Sequence, residues 1–179
     1  MNKTIFLLAV ITGINLLISC SDPKPVSLSG AEMIRQQADG TISLRLDKAD
    51  CYVDLKNPSD NTAEWNVKVS KSGRYNVWIS SATLDTTNLK YKTSVMVNVQ
   101  DKMIQARPNC DRIIVNSSEV QYPYFKADSF IGSLYLQDTG QFYIQVTSEM
   151  ILPKGHHLNE SSAAEIAKLI SVSFMPETR

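Results

Sequence analysis

A two-residue alternation of apolar and polar side chains recurs along the chain and limits the folds open to it. Within residues 41–46, Ile42, Leu44 and Leu46 share one face of an extended segment. The same alternation returns in five further sets, which are Trp65/Val67/Val69, Tyr75/Val77/Ile79, Val95/Val97/Val99, Phe142/Ile144/Val146 and Ile170/Val172/Phe174. A period of two, rich in β-branched and aromatic residues, is typical of β-strands with one buried face.

Stretches rich in turn-forming residues separate these segments, at residues 57–61, 70–73, 138–140 and 152–155. Strands with one apolar face bury that face against a second sheet about 10 Å away. The sequence therefore predicts an all-β fold, an antiparallel β-sandwich, over residues 30–176. Ala163, Ile166 and Ile170 have helical spacing, which indicates either one short helix near residues 160–169 or a loop leading into the last strand.

The amino-terminal segment has a different character. Lys3 is followed by an uncharged apolar stretch over residues 4–18, which is shorter than the roughly 20 residues of a membrane span and is typical of a secretory signal. Residues 17–20, Leu-Ile-Ser-Cys, resemble a bacterial lipobox, in which the cysteine receives the lipid. We expect a signal peptide at residues 1–19, a palmitate-type lipid anchor on Cys20 and a flexible tether over residues 20–29. The alternatives are an ordinary secretory signal and a buried helix.

Charge and cysteine content bear on partners and compartment. The 18 Lys and Arg residues balance 18 Asp and Glu residues without a like-charge block, which argues against a nucleic-acid partner. Asp22 favours the outer over the inner membrane. In an oxidising envelope, Cys51 and Cys110 form a candidate disulfide. It would close a loop of 59 residues and contribute about 4 kcal/mol. The alternative is two buried thiols that do not meet.

The central stretch, residues 63–79, resembles the core of galactose-binding-domain-like jelly rolls, in particular carbohydrate-binding modules of the family 6/35 type. Residues 30–32, 131–136 and 140–146 resemble further strands of that family. The resemblance implies a jelly-roll β-sandwich that serves carbohydrate binding, protein binding or plain structure. Glu32 matches the family's calcium-associated acid, but its Asp partner and the Asn-Leu-Asp pattern before the final strand are missing. We therefore expect no cofactor and do not carry over the family's loop-edge sugar site.

Catalytic motifs are missing from the sequence. It contains no Gly-x-Ser-x-Gly, no His-Glu-x-x-His and no glycine-rich phosphate loop. His156 and His157 are adjacent, so on an extended chain they point to opposite sides and do not share a metal. We predict a protein without catalytic activity.

Outward-facing aromatic residues give better support to a binding function. If Tyr75, Val77 and Ile79 face inward, Asn76 and Trp78 face outward, and Tyr143 and Gln145 do so on a later strand. Aromatic faces stack on sugar rings while amides bind hydroxyls, so these four residues predict a sugar platform. A loop or the tether covering Trp78 is the alternative. A second aromatic run includes Tyr122 and Tyr124, which either line a groove or close one end of the sandwich.

Together these features predict a lipid-anchored envelope protein that binds a glycan or polysaccharide. The alternative is a structural or protein-interaction module that uses the same sandwich, with a protein partner and no sugar.

Overall fold

The computed structural model describes residues 32–152 and 167–177, and strands dominate both ranges. The strands are β1 (Ile34–Arg35), β2 (Ile42–Arg45), β3 (Asp50–Tyr52), β4 (Thr62–Val69), β5 (Gly73–Thr83), β6 (Val95–Val99), β7 (Lys102–Ala106), β8 (Arg112–Ile114), β9 (Phe125–Leu136), β10 (Gly140–Thr147) and β11 (Ala167–Pro176). In these ranges the helical segments are two single 3-10 turns, Leu46–Lys48 and Pro58–Asp60. None of the described residues belongs to a helix long and apolar enough to span a membrane.

Two sheets divide the strands between them. Sheet A has the order β1-β4-β10-β6-β7, and β3 pairs with β4 beside β1. Sheet B has the order β2-β11-β5-β9-β8. The described pairs are antiparallel except for the short parallel pair β1–β4. The predicted all-β sandwich is thus confirmed, since each sheet contributes one apolar face to a common core.

Trp65 on β4 and Tyr75 on β5 are the largest side chains of the core, and each is 1% exposed. A buried polar group is costly unless it has a partner. Trp65 meets this demand by donating from Nε1 to the Arg45 carbonyl at 2.9 Å. The Tyr75 hydroxyl donates to the Lys71 carbonyl at 2.6 Å. Five of the six alternating sets predicted from the sequence face this core without exception.

The last strand departs from the prediction in two ways. Residues 167–169 lie in β11 and not in a helix, because they pair with Ser81, Ala82 and Thr83 of β5. Residues 160–166 of the predicted helix lie outside the described residues. A bulge at Ile170 shifts the alternation by one residue, so Leu169 is fully buried and Ile170 is only partly so.

The predicted disulfide between Cys51 and Cys110 is not present in the described part of the chain. Cys51 lies on β3 and pairs with Ala63 of sheet A. Cys110 precedes β8 of sheet B, and its Sγ lies 4.0 Å from the Asp85 carbonyl oxygen. Cys51 is thus part of sheet A, Cys110 lies in the segment that leads into β8 of sheet B, and no S–S bond joins them.

Candidate functional site

Two aromatic rings lie side by side on the outer face of sheet B. Trp78 of β5 pairs with Phe130 of β9 across the two strands. Their ring centroids are 5.5 Å apart and the rings are tilted by 56°, which is a favourable geometry for two aromatic quadrupoles. Phe130 is 46% exposed, and Trp78 is partly exposed. The predicted outward orientation of Trp78 and Asn76 is confirmed.

A β-bulge in β9 determines which side chains accompany this pair. Val77 of β5 pairs with Gly132 and the next residue, Trp78, pairs with Phe130, so Ile131 is the extra residue. Gly132 adopts a φ of 141°, which side-chain-bearing residues rarely adopt. Because the bulge shifts the alternation by one residue, Phe130, Ser133 and Tyr135 all face outward while Leu134 and Leu136 face the core.

Charged groups border the aromatic pair on the β8 side. The Arg112 guanidinium lies 5.3 Å from the centroid of the Trp78 ring, within the range of a cation–π contact. Its Nη2 also donates to Asp128 Oδ2 at 2.9 Å. Asp128 is 5% exposed, and its Oδ1 accepts from Ser80 Oγ at 2.7 Å. Arg112 covers part of the Trp78 face, so Phe130 presents the more open ring of the pair.

Polar and flexible apolar groups border the pair on its other side. Asn76 Oδ1 accepts from Ser133 Oγ at 2.7 Å. Because that oxygen is engaged, the Asn76 Nδ2 group faces away from Ser133 with two N–H donors. Met175 of β11 lies beside Asn76 in the sheet and is 38% exposed. Asn76 lies two residues before Trp78 on the same face of β5, and an amide donor near aromatic rings is a combination that can bind a hydroxyl-bearing ring.

The loop of residues 115–124 crosses the outer face of sheet B next to this site. Glu119 forms ion pairs with Lys126 of β9 and, at 3.9 Å, with Arg45 of β2. Since β5 and β11 lie between β9 and β2, the loop spans the intervening strands. This explains why Ser80 and Ser171 are buried although they face outward. The loop therefore covers the part of sheet B around Ser80, which is two residues from Trp78 on the same face of β5.

Tyr143 and Gln145 do not meet Trp78, contrary to the single platform predicted from the sequence. They belong to β10 of sheet A, so they face outward on the opposite side of the sandwich. Tyr143 is 40% exposed. Gln145 donates to Glu64 Oε1 at 2.6 Å and accepts from Asn98 at 3.3 Å.

The other candidate residues lie elsewhere. Tyr122 is 95% exposed, and Tyr124 is partly exposed in the same loop, so Tyr122 does not close the end of the sandwich. The carboxylate of Glu32 accepts from Lys48 Nζ at 2.6 Å. Within the described ranges no three His, Cys, Asp or Glu side chains form a metal-binding group. Cys20 and His156–His157 lie outside the described residues.

Phe130, Arg112 and Ser133 are site residues that the sequence pattern did not predict. Phe130 and Ser133 are three positions apart, so strict alternation would put them on opposite faces. The sequence feature that could have located this bulge is Gly132, because a glycine inside a strand often marks a bulge.

Comparisons with known proteins bear on the fold. Neither a protein-family model nor a curated protein matches the sequence. Among solved structures, the α-L-fucosidase from Vibrio sp. strain EJY3 matches with a TM-score of 0.63 and 16% identity. The match covers 81% of this chain and 24% of the fucosidase chain, so this chain spans about a quarter of that enzyme.

Two other structures match with lower scores. One is the carbohydrate-binding module CBM35 of Abf62 from Cellvibrio japonicus, with a TM-score of 0.38, 12% identity and coverage of 77% of this chain and 94% of the module. The other is the GH26-CBM35 β-(1,4)-mannanase of Podospora anserina, with a TM-score of 0.45 and 11% identity. That match covers 79% of this chain and 28% of the mannanase chain. The likeness to the fucosidase segment, at its low identity, concerns the fold: an all-β sandwich of two sheets.

Proposed function

We propose that this chain is a non-catalytic glycan-binding module, held at a bacterial envelope membrane by a lipid on Cys20. Trp78 and Phe130 are its sugar-contacting rings. The observation that carries the proposal is this pair of adjacent outward-facing rings on sheet B, 5.5 Å apart between centroids. Exposing two adjacent aromatic rings to water is unfavourable, and a ligand that covers them removes this cost, so such a pair indicates a binding surface.

Polar neighbours of the rings support a sugar over a purely apolar ligand. A pyranose offers C–H groups to an aromatic face and hydroxyls to donors and acceptors at its rim. The Asn76 amide and the Arg112 guanidinium supply donors at two sides of the pair. Arg112 is already neutralised by Asp128, which favours an uncharged sugar. The fold similarity to a segment of an α-L-fucosidase agrees with a module that works on glycans.

A glycan array tests this function. The full chain is purified in a detergent without a sugar headgroup and compared with Trp78→Ala, Phe130→Ala and Tyr143→Ala. Tyr143 is the matched control, because it is an exposed aromatic residue on the opposite face. We expect the wild type and Tyr143→Ala to bind the same glycans, and the Trp78 and Phe130 variants to bind about tenfold more weakly.

Two results would contradict the proposal. One is a wild-type protein with a native circular dichroism spectrum that binds no glycan on the array, which would favour the protein-interaction module. The other is glycan binding that survives Trp78→Ala and Phe130→Ala but is lost in Tyr143→Ala.

A further inference from the structure

A cleft opens at the end of sheet B that lies away from the 115–124 loop. Its volume is about 780 Å³, and its lining includes Asp39, Lys71, Arg74, Tyr135, Pro176 and Glu177. Volumes of about 300–1,000 Å³ are typical of small-molecule sites. Tyr135 is 52% exposed, so its ring is open to a ligand in the cleft.

The cleft continues the surface that carries Trp78 and Phe130. Tyr135 pairs with Arg74 across β9 and β5, and both face outward because they follow the alternation set by the bulge. Phe130 and Tyr135 are five positions apart along β9, which corresponds to about 15 Å at strand spacing. That distance is longer than one pyranose ring.

The surface between the two aromatic ends suits a sugar chain. Asn76, Ser133 and Met175 lie there, where the Asn76 Nδ2 group supplies donors and Met175 supplies an exposed apolar contact. Met side chains adapt their shape to a ligand more readily than branched residues do. Along the strands, an aromatic pair is therefore followed by polar groups and then by a second aromatic residue, Tyr135.

Each charged group of the cleft has a partner, and its positive and negative groups are equal in number. Arg74 lies 3.4 Å from the Glu177 carboxylate, and Lys71 donates to the Ala38 carbonyl. Asp39 accepts from the Thr41 amide at 2.9 Å and from the Thr41 hydroxyl at 3.0 Å. Two cations and two anions give a cleft without net charge, so it does not select an anionic ligand.

We propose that the outer face of sheet B and this cleft together bind one uncharged oligosaccharide chain that runs along β9. Trp78 and Phe130 hold one part of the chain, and Tyr135 stacks on a sugar ring several residues away. This inference rests on the proposed glycan function and adds to it the ligand class, which is an extended chain and not a monosaccharide or a chain end.

Affinity as a function of chain length tests the inference. The full chain is titrated calorimetrically with gluco-, manno-, xylo- and galacto-configured chains from disaccharide to hexasaccharide. We expect the wild type to bind the hexasaccharide of the preferred series at least about tenfold more tightly than the disaccharide. Tyr135→Ala is expected to remove this gain and to leave disaccharide affinity unchanged, whereas Tyr135→Phe and the opposite-face control Tyr143→Ala retain it.

The outcomes separate the two proposals. Equal wild-type affinity for disaccharide and hexasaccharide, or an undiminished gain in Tyr135→Ala, overturns the extended-chain inference and leaves the glycan function standing. Wild-type protein that binds none of the oligosaccharides overturns both. Binding of every oligosaccharide that is about tenfold weaker in Trp78→Ala, together with loss of only the length-dependent gain in Tyr135→Ala, supports both.

Discussion

At the scale of single residues, Asp85 is an acid whose pKa is lowered by hydrogen bonds from the two residues Thr87 and Asn88. Its carboxylate accepts from Thr87 Oγ1 at 2.7 Å, from the Thr87 amide at 2.9 Å and from the Asn88 amide at 3.1 Å. These hydrogen bonds lower the pKa of Asp85 from 3.8 to about 2. A carboxyl with a lowered folded-state pKa stabilises the fold above its unfolded pKa, and that contribution is lost as pH falls towards the folded pKa.

The prediction for Asp85 is a pH-dependent difference between the wild type and Asp85→Asn. The variant keeps an acceptor oxygen and loses the charge, so we expect a lower melting temperature than the wild type at pH 5 to 7. The gap should narrow as pH falls from about 4 to about 2. Thermal unfolding followed by circular dichroism measures this difference in melting temperature. A gap that stays constant from pH 2 to 6 would show that the charge of Asp85 does not stabilise the fold.

Cys110 is a second residue whose surroundings make a prediction. Burial raises the pKa of its thiol, and the carboxylates of Asp85 and Asp111 raise it further. The thiolate is the reactive form, so iodoacetamide should modify Cys110 slowly in the folded protein near neutral pH. In urea without reductant the modification should become fast, which mass spectrometry of the Cys110 peptide detects. If Cys110 stays unmodified in urea until reductant is added, the result would support the disulfide with Cys51 that the sequence predicted.

At the scale of elements, the period-two pattern predicted the strands because one face of each is buried in the sandwich. Ile42, Leu44, Trp65, Val67 and Val69 face the core as their spacing indicated. The bulges could not be located in the same way, since inserting one residue reverses the facing of every side chain that follows. Phe130 was missed for this reason, and Ile170, at the bulge in β11, is only partly buried where full burial was predicted.

The bulge in β9 depends on Gly132, which gives a test. A Cβ atom at Gly132 would lie 3.1 Å from Ile104 Cγ2, and the residue has a φ of 141°. We expect Gly132→Ala to destabilise the fold by about 1–3 kcal/mol, measured by urea unfolding. Gly140→Ala is the matched control, because Gly140 has a similar φ of 139° and no atom within 4 Å of its Cβ position. The Gly140 variant should lose less stability. Equal losses would mean that the close contact with Ile104 does not contribute to the destabilisation.

At the scale of the whole molecule, the sandwich separates residues that look equivalent in sequence. Trp78 and Tyr143 both alternate with core residues, but β5 belongs to sheet B and β10 to sheet A. Alternation predicts whether a side chain faces inward, whereas long-range pairing decides which sheet a strand joins. The predicted platform therefore divides into an aromatic face on sheet B and a polar face with Gln145, Asn98 and Glu64 on sheet A.

Membrane attachment is a prediction for the whole molecule, and it rests on Lys3, the apolar stretch over residues 4–18 and the lipobox-like residues 17–20. In cells that process lipoproteins, Cys20→Ser removes the thiol that would carry the lipid, so we expect the protein to move from the membrane to the soluble envelope fraction. Ser21→Ala is the control and should remain with the membrane. Fractionation followed by immunoblotting measures the distribution. Membrane association that is unchanged in Cys20→Ser would exclude the lipid anchor.

Glycan binding through the aromatic face of sheet B can be tested by nuclear magnetic resonance of the indole N–H groups during titration with the array-selected oligosaccharide. The chain has two tryptophans. Trp65 is an internal control, because it is buried and its Nε1 is bonded to the Arg45 carbonyl. We expect the Trp78 indole signal to shift progressively with ligand while the Trp65 signal stays in place. Saturable binding with an unmoved Trp78 signal would contradict binding through this face.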